Sequence, residues 1–98
     1  MFVAITRLDF DPSLKDDMID LARKTAPIFR QQKGNKGVWA HVSKDGHQTM
    51  MYLLWETEDD HLACMQSMDF ASVNPAFEAL MKSGKVAFTM DSYATVES

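Results

Sequence analysis

The hydrophobic and polar positions of this chain change period several times, and each change predicts a new element. Residues 2–10 alternate with the two-residue period of a β-strand that has one strongly apolar face and a partly apolar reverse. Residues 14–29 follow helical spacing, and Pro27 inside them should kink the helix or divide it in two. The Gly-Asn-Lys-Gly sequence at 34–37 should end it, because glycine and asparagine tolerate the left-handed backbone of a helix stop.

The middle of the chain predicts a β-hairpin that leads directly into a helix. Residues 38–43 and 48–56 have strand character, and the Lys-Asp-Gly sequence at 44–46 supplies a turn with glycine where positive φ is needed. At Thr57 the apolar run changes to a hydroxyl residue followed by three carboxylates. Their oxygens and negative charge attract the free N–H groups of a helix start, so a helix should begin at Glu58.

The remaining elements complete a β-α-β-β-α-β order. The helix from Glu58 should end near residues 67–68, a second helical piece should span 74–82, and residues 86–96 should form the last strand. This order is typical of the ferredoxin-like α+β fold, a four-stranded antiparallel sheet with helices on one face. The 98 residues contain no linker or repeat, so we predict a single domain over residues 1–98.

One face of such a sheet has no helices, and the sequence predicts that this face is partly apolar. Because of residues such as Val3, Ile5, Met51 and Tyr52, no strand has one purely apolar face and one purely polar face. A large exposed apolar face normally marks an interface, so we predict a homodimer formed sheet against sheet. Trp39 and His41 share a strand face, which is either a pocket wall or this interface, and we favour the interface.

Charge and composition exclude several classes of partner. The net charge is −4 with lysines and arginines scattered singly, so the basic footprint of a nucleic-acid-binding protein is missing. No window approaches the roughly 18 apolar residues of a membrane span, and the first ten residues lack a signal-peptide pattern. We therefore predict no membrane contact. The single cysteine cannot form an internal disulfide, which fits a reducing compartment, so we predict a cytoplasmic protein. The three histidines lack metal-ligand spacing, and no metal site is predicted.

The predicted second helix carries the residues with the clearest chemical potential. His61, Cys64, Met65 and Met68 are spaced i, i+3, i+4 and i+7, so they share one stripe next to the strand end at Trp55. A soft apolar stripe with one histidine predicts a small pocket. His61 is the first choice for proton transfer because its unperturbed pKa lies near neutrality. The alternative is an exposed histidine beside an acidic helix start, and Cys64 fits a small buried hydrophobe better than a nucleophile.

Three motifs of the chain resemble those of one family. They are the Trp-Glu-Thr block at 55–57 before an acidic helix start, the Gly-x-x-Gly at 34–37 before an aromatic-bearing strand, and Pro27, which lies seven residues before the first of these glycines. Together they resemble the antibiotic biosynthesis monooxygenase family of dimeric α/β-barrel proteins, and bacterial quinol-monooxygenase-like members in particular. The resemblance covers nearly the whole chain.

The resemblance implies oxidation of an electron-rich aromatic substrate, such as a polyketide phenol or a quinol, with O2 and without metal or flavin. A deprotonated phenol is carbanion-like and can itself reduce oxygen. The protein must then supply a dry pocket, a proton acceptor and polar groups where charge develops. Relatives with this fold catalyse other reactions or have no known activity, so the fold does not choose the reaction.

The site residues of the family transfer only in part. Trp55 matches the junction tryptophan of polyketide-oxidising members, but their tyrosine six positions later is His61 here. Their asparagine four positions before the junction is Met51, a poor hydrogen-bonding group. Haem-degrading members carry functional residues at three positions where this chain has other residue types. These positions are Thr6, Cys64 and Asn74. These differences argue against haem degradation.

We therefore predict a cofactor-independent monooxygenase that acts on a small phenolic or quinol-like substrate. The predicted catalytic residues are His61 and Trp55. The predicted substrate-binding residues are Thr6, Trp55, Cys64, Met65 and Asn74. An isomerase or lyase of the same fold remains an alternative, as does a non-catalytic small-molecule-binding or interaction domain. A pocket filled by the chain's own methionines would favour the non-catalytic alternative.

Overall fold

The computed structural model describes residues 1–71 and 74–97 and consists of one antiparallel sheet with helices packed against it. Its elements are β1 (Phe2–Phe10), α1 (Lys15–Arg30), β2 (Asn35–Val42), β3 (Gln48–Trp55), α2 (Glu58–Met65), α3 (Met68–Ala71), α4 (Asn74–Lys82) and β4 (Val86–Ala94). The strand order is β2-β3-β1-β4 and every neighbouring pair is antiparallel. The predicted ferredoxin-like α+β fold is confirmed. None of the helices in the described ranges combines the length and apolarity needed to cross a membrane.

The hydrophobic core consists of two clusters at opposite ends of β1. Phe2 and Ala4 belong to the cluster that also contains Trp55 and the α1 residue Phe29. Phe10 belongs to the other cluster, formed with the following residues of α1 and β4: Met18 and Val86. The middle of β1 on the helix side is not filled by either cluster, and this is where the cavity described below lies.

Helix α1 runs through Pro27 as one element, so the sequence-based alternative of two separate helices is wrong. Proline removes one backbone donor and crowds the carbonyl four residues earlier. Pro27 lies in the last turn of α1, after three turns of regular helix, and its own carbonyl accepts a hydrogen bond from the Gln31 amide at 3.2 Å. The helix therefore ends a few residues later without being divided.

The connections differ most from the sequence-based boundaries at two places, and the last strand, predicted for residues 86–96, ends at Ala94. Strand β2 begins at Asn35 rather than at residue 38, with a register shift between Asn35 and Gly37, so only Gly34 with φ +81° serves as the left-handed stop. Helix α2 ends at Met65 because the Ser67 hydroxyl accepts the Phe70 amide and starts the separate helix α3. Met68 consequently leaves the α2 stripe and is fully exposed.

The face of the sheet opposite the helices carries exposed aromatic side chains. Trp39 and Tyr93 are 49% and 52% exposed, and the Trp39 ring contacts the Tyr52 ring edge-on with centroids 5.6 Å apart. The Trp39 indole lies across Gly37, where an added Cβ would come within 2.4 Å of the ring. Trp39 therefore belongs to this outer face and not to the cavity on the helix side, and His41 also lies outside the cavity lining.

Candidate functional site

A cavity of about 310 Å³ lies between the helices and the sheet. Its wall contains five methionines, four phenylalanines, three leucines and one alanine, and its polar lining residues are Thr6, Thr25, Thr49, His61 and Asn74. Among the described residues, no lysine, arginine, aspartate or glutamate lines it. The methionines form part of the wall without filling the space, so there is room for an aromatic ring.

His61 is held at one end of the cavity by the start of α2. The Thr57 hydroxyl caps this helix by accepting a hydrogen bond from the Asp60 amide at 3.2 Å, as the hydroxyl followed by carboxylates predicted. The imidazole is 3% exposed and packs between the Phe2 and Trp55 rings, with centroid distances of 5.4 and 5.6 Å. Its Nδ1 atom is buried without a hydrogen-bond partner among the residues that the structure describes. The imidazole is therefore fixed by aromatic packing, not by a hydrogen-bonded carboxylate.

Burial sets the protonation state of His61. Desolvation lowers the pKa of the imidazole below its usual value of 6.5, because an apolar environment disfavours the charged form, and the nearby Glu58 carboxylate opposes this shift more weakly. A histidine with a lowered pKa is neutral at pH 7. It can therefore accept a proton from a molecule in the cavity.

Thr6 supplies a hydroxyl from β1 to the sheet side of the cavity. It is the cross-strand partner of Met51, and both residues line the cavity. Side chains directly opposite each other in an antiparallel pair have Cβ atoms about 5 Å apart. The Thr6 hydroxyl is thus next to Met51, the position at which the family resemblance implies an asparagine in polyketide-oxidising members.

Trp55 and Cys64 lie in the core behind the cavity wall. Neither lines the cavity, and the two side chains are 0% and 2% exposed. Burial, with a smaller contribution from Asp69, raises the pKa of the Cys64 thiol to about 11, so the thiol is protonated and unreactive at neutral pH. Trp55 contacts His61, and its buried indole Nε1 has no hydrogen-bond partner within the described ranges, so its structural contribution is to pack the imidazole.

The structure brings together four of the residues selected from the sequence: Thr6, His61, Met65 and Asn74. Sequence reasoning did not select Phe77 and Phe88, whose rings meet edge-on 5.3 Å apart at the cavity wall. Phe88 lies on the helix side of β4 as the cross-strand partner of Leu8, but strand alternation alone gives no sign that α4 lies opposite it. Within the described ranges, no group of three or more histidine, cysteine or acidic residues is arranged to hold a metal ion.

The fold and the site together define a class of small α+β proteins with an apolar cavity between the helices and an antiparallel sheet. A family model for antibiotic biosynthesis monooxygenases matches residues 1–82. The chain belongs to this family, as its motifs predicted. Comparison with curated proteins gave no match.

Solved structures share this fold at low sequence identity. A candidate antibiotic biosynthesis monooxygenase from Deinococcus radiodurans is 16% identical with a TM-score of 0.84, and the match covers 100% of this chain and 95% of that one. A candidate from Nitrosomonas europaea is 14% identical with a TM-score of 0.82 and coverage of 99% and 100%. SnoaB, a cofactor-independent oxygenase from Streptomyces nogalater, is 13% identical with a TM-score of 0.77 and coverage of 99% and 94%. At these identities the likeness shows the fold alone.

Proposed function

We propose that this protein is a cytoplasmic, cofactor-independent monooxygenase that oxidises a small phenolic or quinol-like aromatic substrate with O2. The observation that carries the proposal is His61, a buried histidine with a lowered pKa at the end of a mostly apolar cavity. Family membership and the cofactor-independent oxygenase SnoaB among the structural neighbours support the same reaction class. We assign the proton acceptor to His61 and the wall behind it to Trp55.

The proposed reaction needs one proton acceptor and a dry cavity. Neutral His61 removes a proton from the phenol hydroxyl or from the CH2 group of its keto tautomer, and the resulting carbanion adds to O2. Histidinium returns the proton to the peroxide anion, and the hydroperoxide loses water. For an anthrone-like substrate the net change is CH2 + O2 → C=O + H2O. The apolar wall keeps bulk water away from the carbanion, which water would otherwise protonate before O2 reacts.

The polar lining residues have a separate role in this scheme. The Thr6 hydroxyl and the Asn74 amide are proposed to hold the substrate oxygen on which negative charge develops. Met65 supplies an adaptable wall beside His61, because a thioether side chain fits ring systems of different shape. Cys64 has no chemical role in the scheme, since its thiol is protonated and lies behind the wall.

Oxygen consumption tests the proposed function directly. We expect the protein to accelerate O2 uptake with at least one member of a panel of anthrones, naphthols and quinols, above the rate in buffer. Anthrone-type substrates should consume one O2 per molecule without releasing hydrogen peroxide, as added catalase would reveal. Absence of uptake across the panel contradicts the proposal, and turnover that persists without oxygen identifies an isomerase or lyase instead.

We also propose that two copies pack through the outer sheet face, since exposed Trp39 and Tyr93 lie on that face. Tyr93→Glu should convert a dimer of about twice 11.1 kDa into a monomer. The interface would then have to bury two carboxylates, which costs desolvation energy and brings like charges together. Light scattering after gel filtration measures the mass. Met68→Glu, at an exposed position on α3, is the matched control and should stay dimeric. A monomeric wild-type protein at micromolar concentration would contradict this assembly.

A further inference from the structure

The cavity has two chemically different ends along β1. His61 contacts Phe2, whereas Leu8 lines the cavity six residues further along the same strand. The cavity lining on β3 extends from Thr49, beside Leu8, to Leu53, and at about 3.4 Å per residue these two backbone positions are about 14 Å apart. The cavity is therefore longer than the single ring that proton transfer at His61 requires.

The end remote from His61 is apolar and partly open. Phe88 is the cross-strand partner of Leu8, and its ring meets Phe77 of α4. Phe88 and Met90 remain 41% and 45% exposed although both line the cavity on the helix side of β4. Strand β4 is one of the two edge strands of the sheet, so these side chains form an apolar mouth between α4 and β4. Thr49 adds a hydroxyl on the β3 side of the same end.

The wall also constrains the charge of the occupant. None of the described lining residues carries a formal charge at neutral pH, because His61 is held neutral by burial. A charged group on the ligand would lose its hydration without gaining a partner, which is strongly unfavourable. Phosphate, carboxylate and ammonium groups are therefore poorly suited to this cavity, whereas an uncharged chain is well suited to it.

We propose that the natural ligand is an uncharged phenolic or quinol ring that carries an apolar tail. The ring binds at His61, and the tail follows the middle of β1 and covers Phe77, Phe88 and Met90 at the mouth. The inference rests on the proposed function for the identity of the ring. The tail is inferred from the length of the cavity, its lack of charge and its exposed apolar mouth.

Calorimetric titration of the full chain with 4-alkylphenols and alkylhydroquinones, from methyl to hexyl, tests the tail directly. Affinity should rise about three- to fourfold for each added methylene, the fold-change equivalent to about 0.8 kcal/mol of buried CH2. A hexyl chain that ends in a carboxylate should bind at least tenfold more weakly than its uncharged counterpart. An affinity that stays flat from methyl to hexyl overturns the proposal.

A variant at the mouth separates tail binding from a general loss of the cavity. Phe88→Ala should weaken hexyl ligands about tenfold and leave methyl ligands within twofold, because only the longer chain reaches Phe88. Thr89→Ala, at the next residue on the opposite face of β4, is the control and should change neither. Equal weakening of short and long ligands by Phe88→Ala contradicts the proposed position of the tail.

Binding and turnover distinguish this inference from the proposed function. Chain-length-dependent binding without O2 uptake supports the tail and contradicts the monooxygenase reaction. O2 uptake with an affinity that is independent of chain length supports the reaction and contradicts the tail.

Discussion

Replacing His61 with glutamine should lower kcat/KM for O2 consumption by about 10²- to 10⁴-fold, the usual contribution of a positioned general base. Glutamine keeps a polar side chain of similar length between Phe2 and Trp55 but cannot take up a proton. Oxygen-electrode kinetics with the best substrate of the panel measures the loss. Substrate affinity, measured by calorimetry, should change much less than kcat.

The pH profile provides a readout that a purely structural role of His61 would not produce. Because burial lowers the pKa of His61 below 6.5, the imidazole stays neutral and active through neutral pH. Wild-type kcat/KM should therefore fall only as the pH drops below about 6.5, as His61 gains its proton, and His61→Gln should lack this acid limb. His47→Gln is the control, since His47 is exposed and pairs with Asp45 beside a turn. Wild-type activity in His61→Gln would remove the assigned role.

Gly34→Ala should lower the free energy of unfolding by about 2–5 kcal/mol. Gly34 has φ +81°, a conformation that costs an L-residue about 1–2 kcal/mol. An added Cβ would also lie 2.1 Å from the Asp60 Oδ2 atom and 2.7 Å from the Asp60 Cβ atom. Relieving that overlap must move the start of α2 or weaken the Thr57 cap, at a further cost of about 1–3 kcal/mol. Urea denaturation measures the loss.

Gly84→Ala is a matched control for this steric contact. Gly84 has φ +72°, close to that of Gly34, but an added Cβ would have no atom within 4 Å. Gly84→Ala should lower the free energy of unfolding by only about 1–2 kcal/mol, the cost of the left-handed backbone for an L-residue. Asp60→Ala should remove part of the extra cost in a double-mutant cycle with Gly34→Ala. Equal losses for the two glycine variants would show that the Asp60 contact does not matter. Because Asp60 adjoins His61, Gly34→Ala should also reduce O2 consumption.

The fold was predictable because local signals agreed along the chain. Alternation in residues 2–10 and the Asp-Gly turn at 45–46 define strands and a hairpin from short-range information alone. The cap at Thr57 fixed the start of α2 to the residue. Propensity did not resolve the fate of the helix at Pro27, since packing of the preceding turns and the position of the proline near the helix end both matter.

The candidate site was predictable at positions where a residue's face follows from its period. Thr6 and His61 reach the cavity because the β1 and α2 patterns place them on the buried side. How deeply a side chain is buried was not predictable. Trp55 and Cys64 lie on the buried side of their elements, but other side chains separate them from the cavity. Phe77 and Phe88 lie eleven residues apart on different elements, and only the tertiary structure shows that their rings meet.

The two tryptophans occupy opposite sides of the sheet, which gives the protein two separate optical reporters. Trp39 is half exposed on the outer face, whereas Trp55 is fully buried against His61. In a Trp39→Phe variant, the remaining indole emission would arise beside the cavity and respond to the protonation of His61. In a Trp55→Phe variant, emission would come from the outer face and shift towards the blue when that face is covered. Intrinsic fluorescence can thus follow ligand entry and subunit association as two independent events in one molecule.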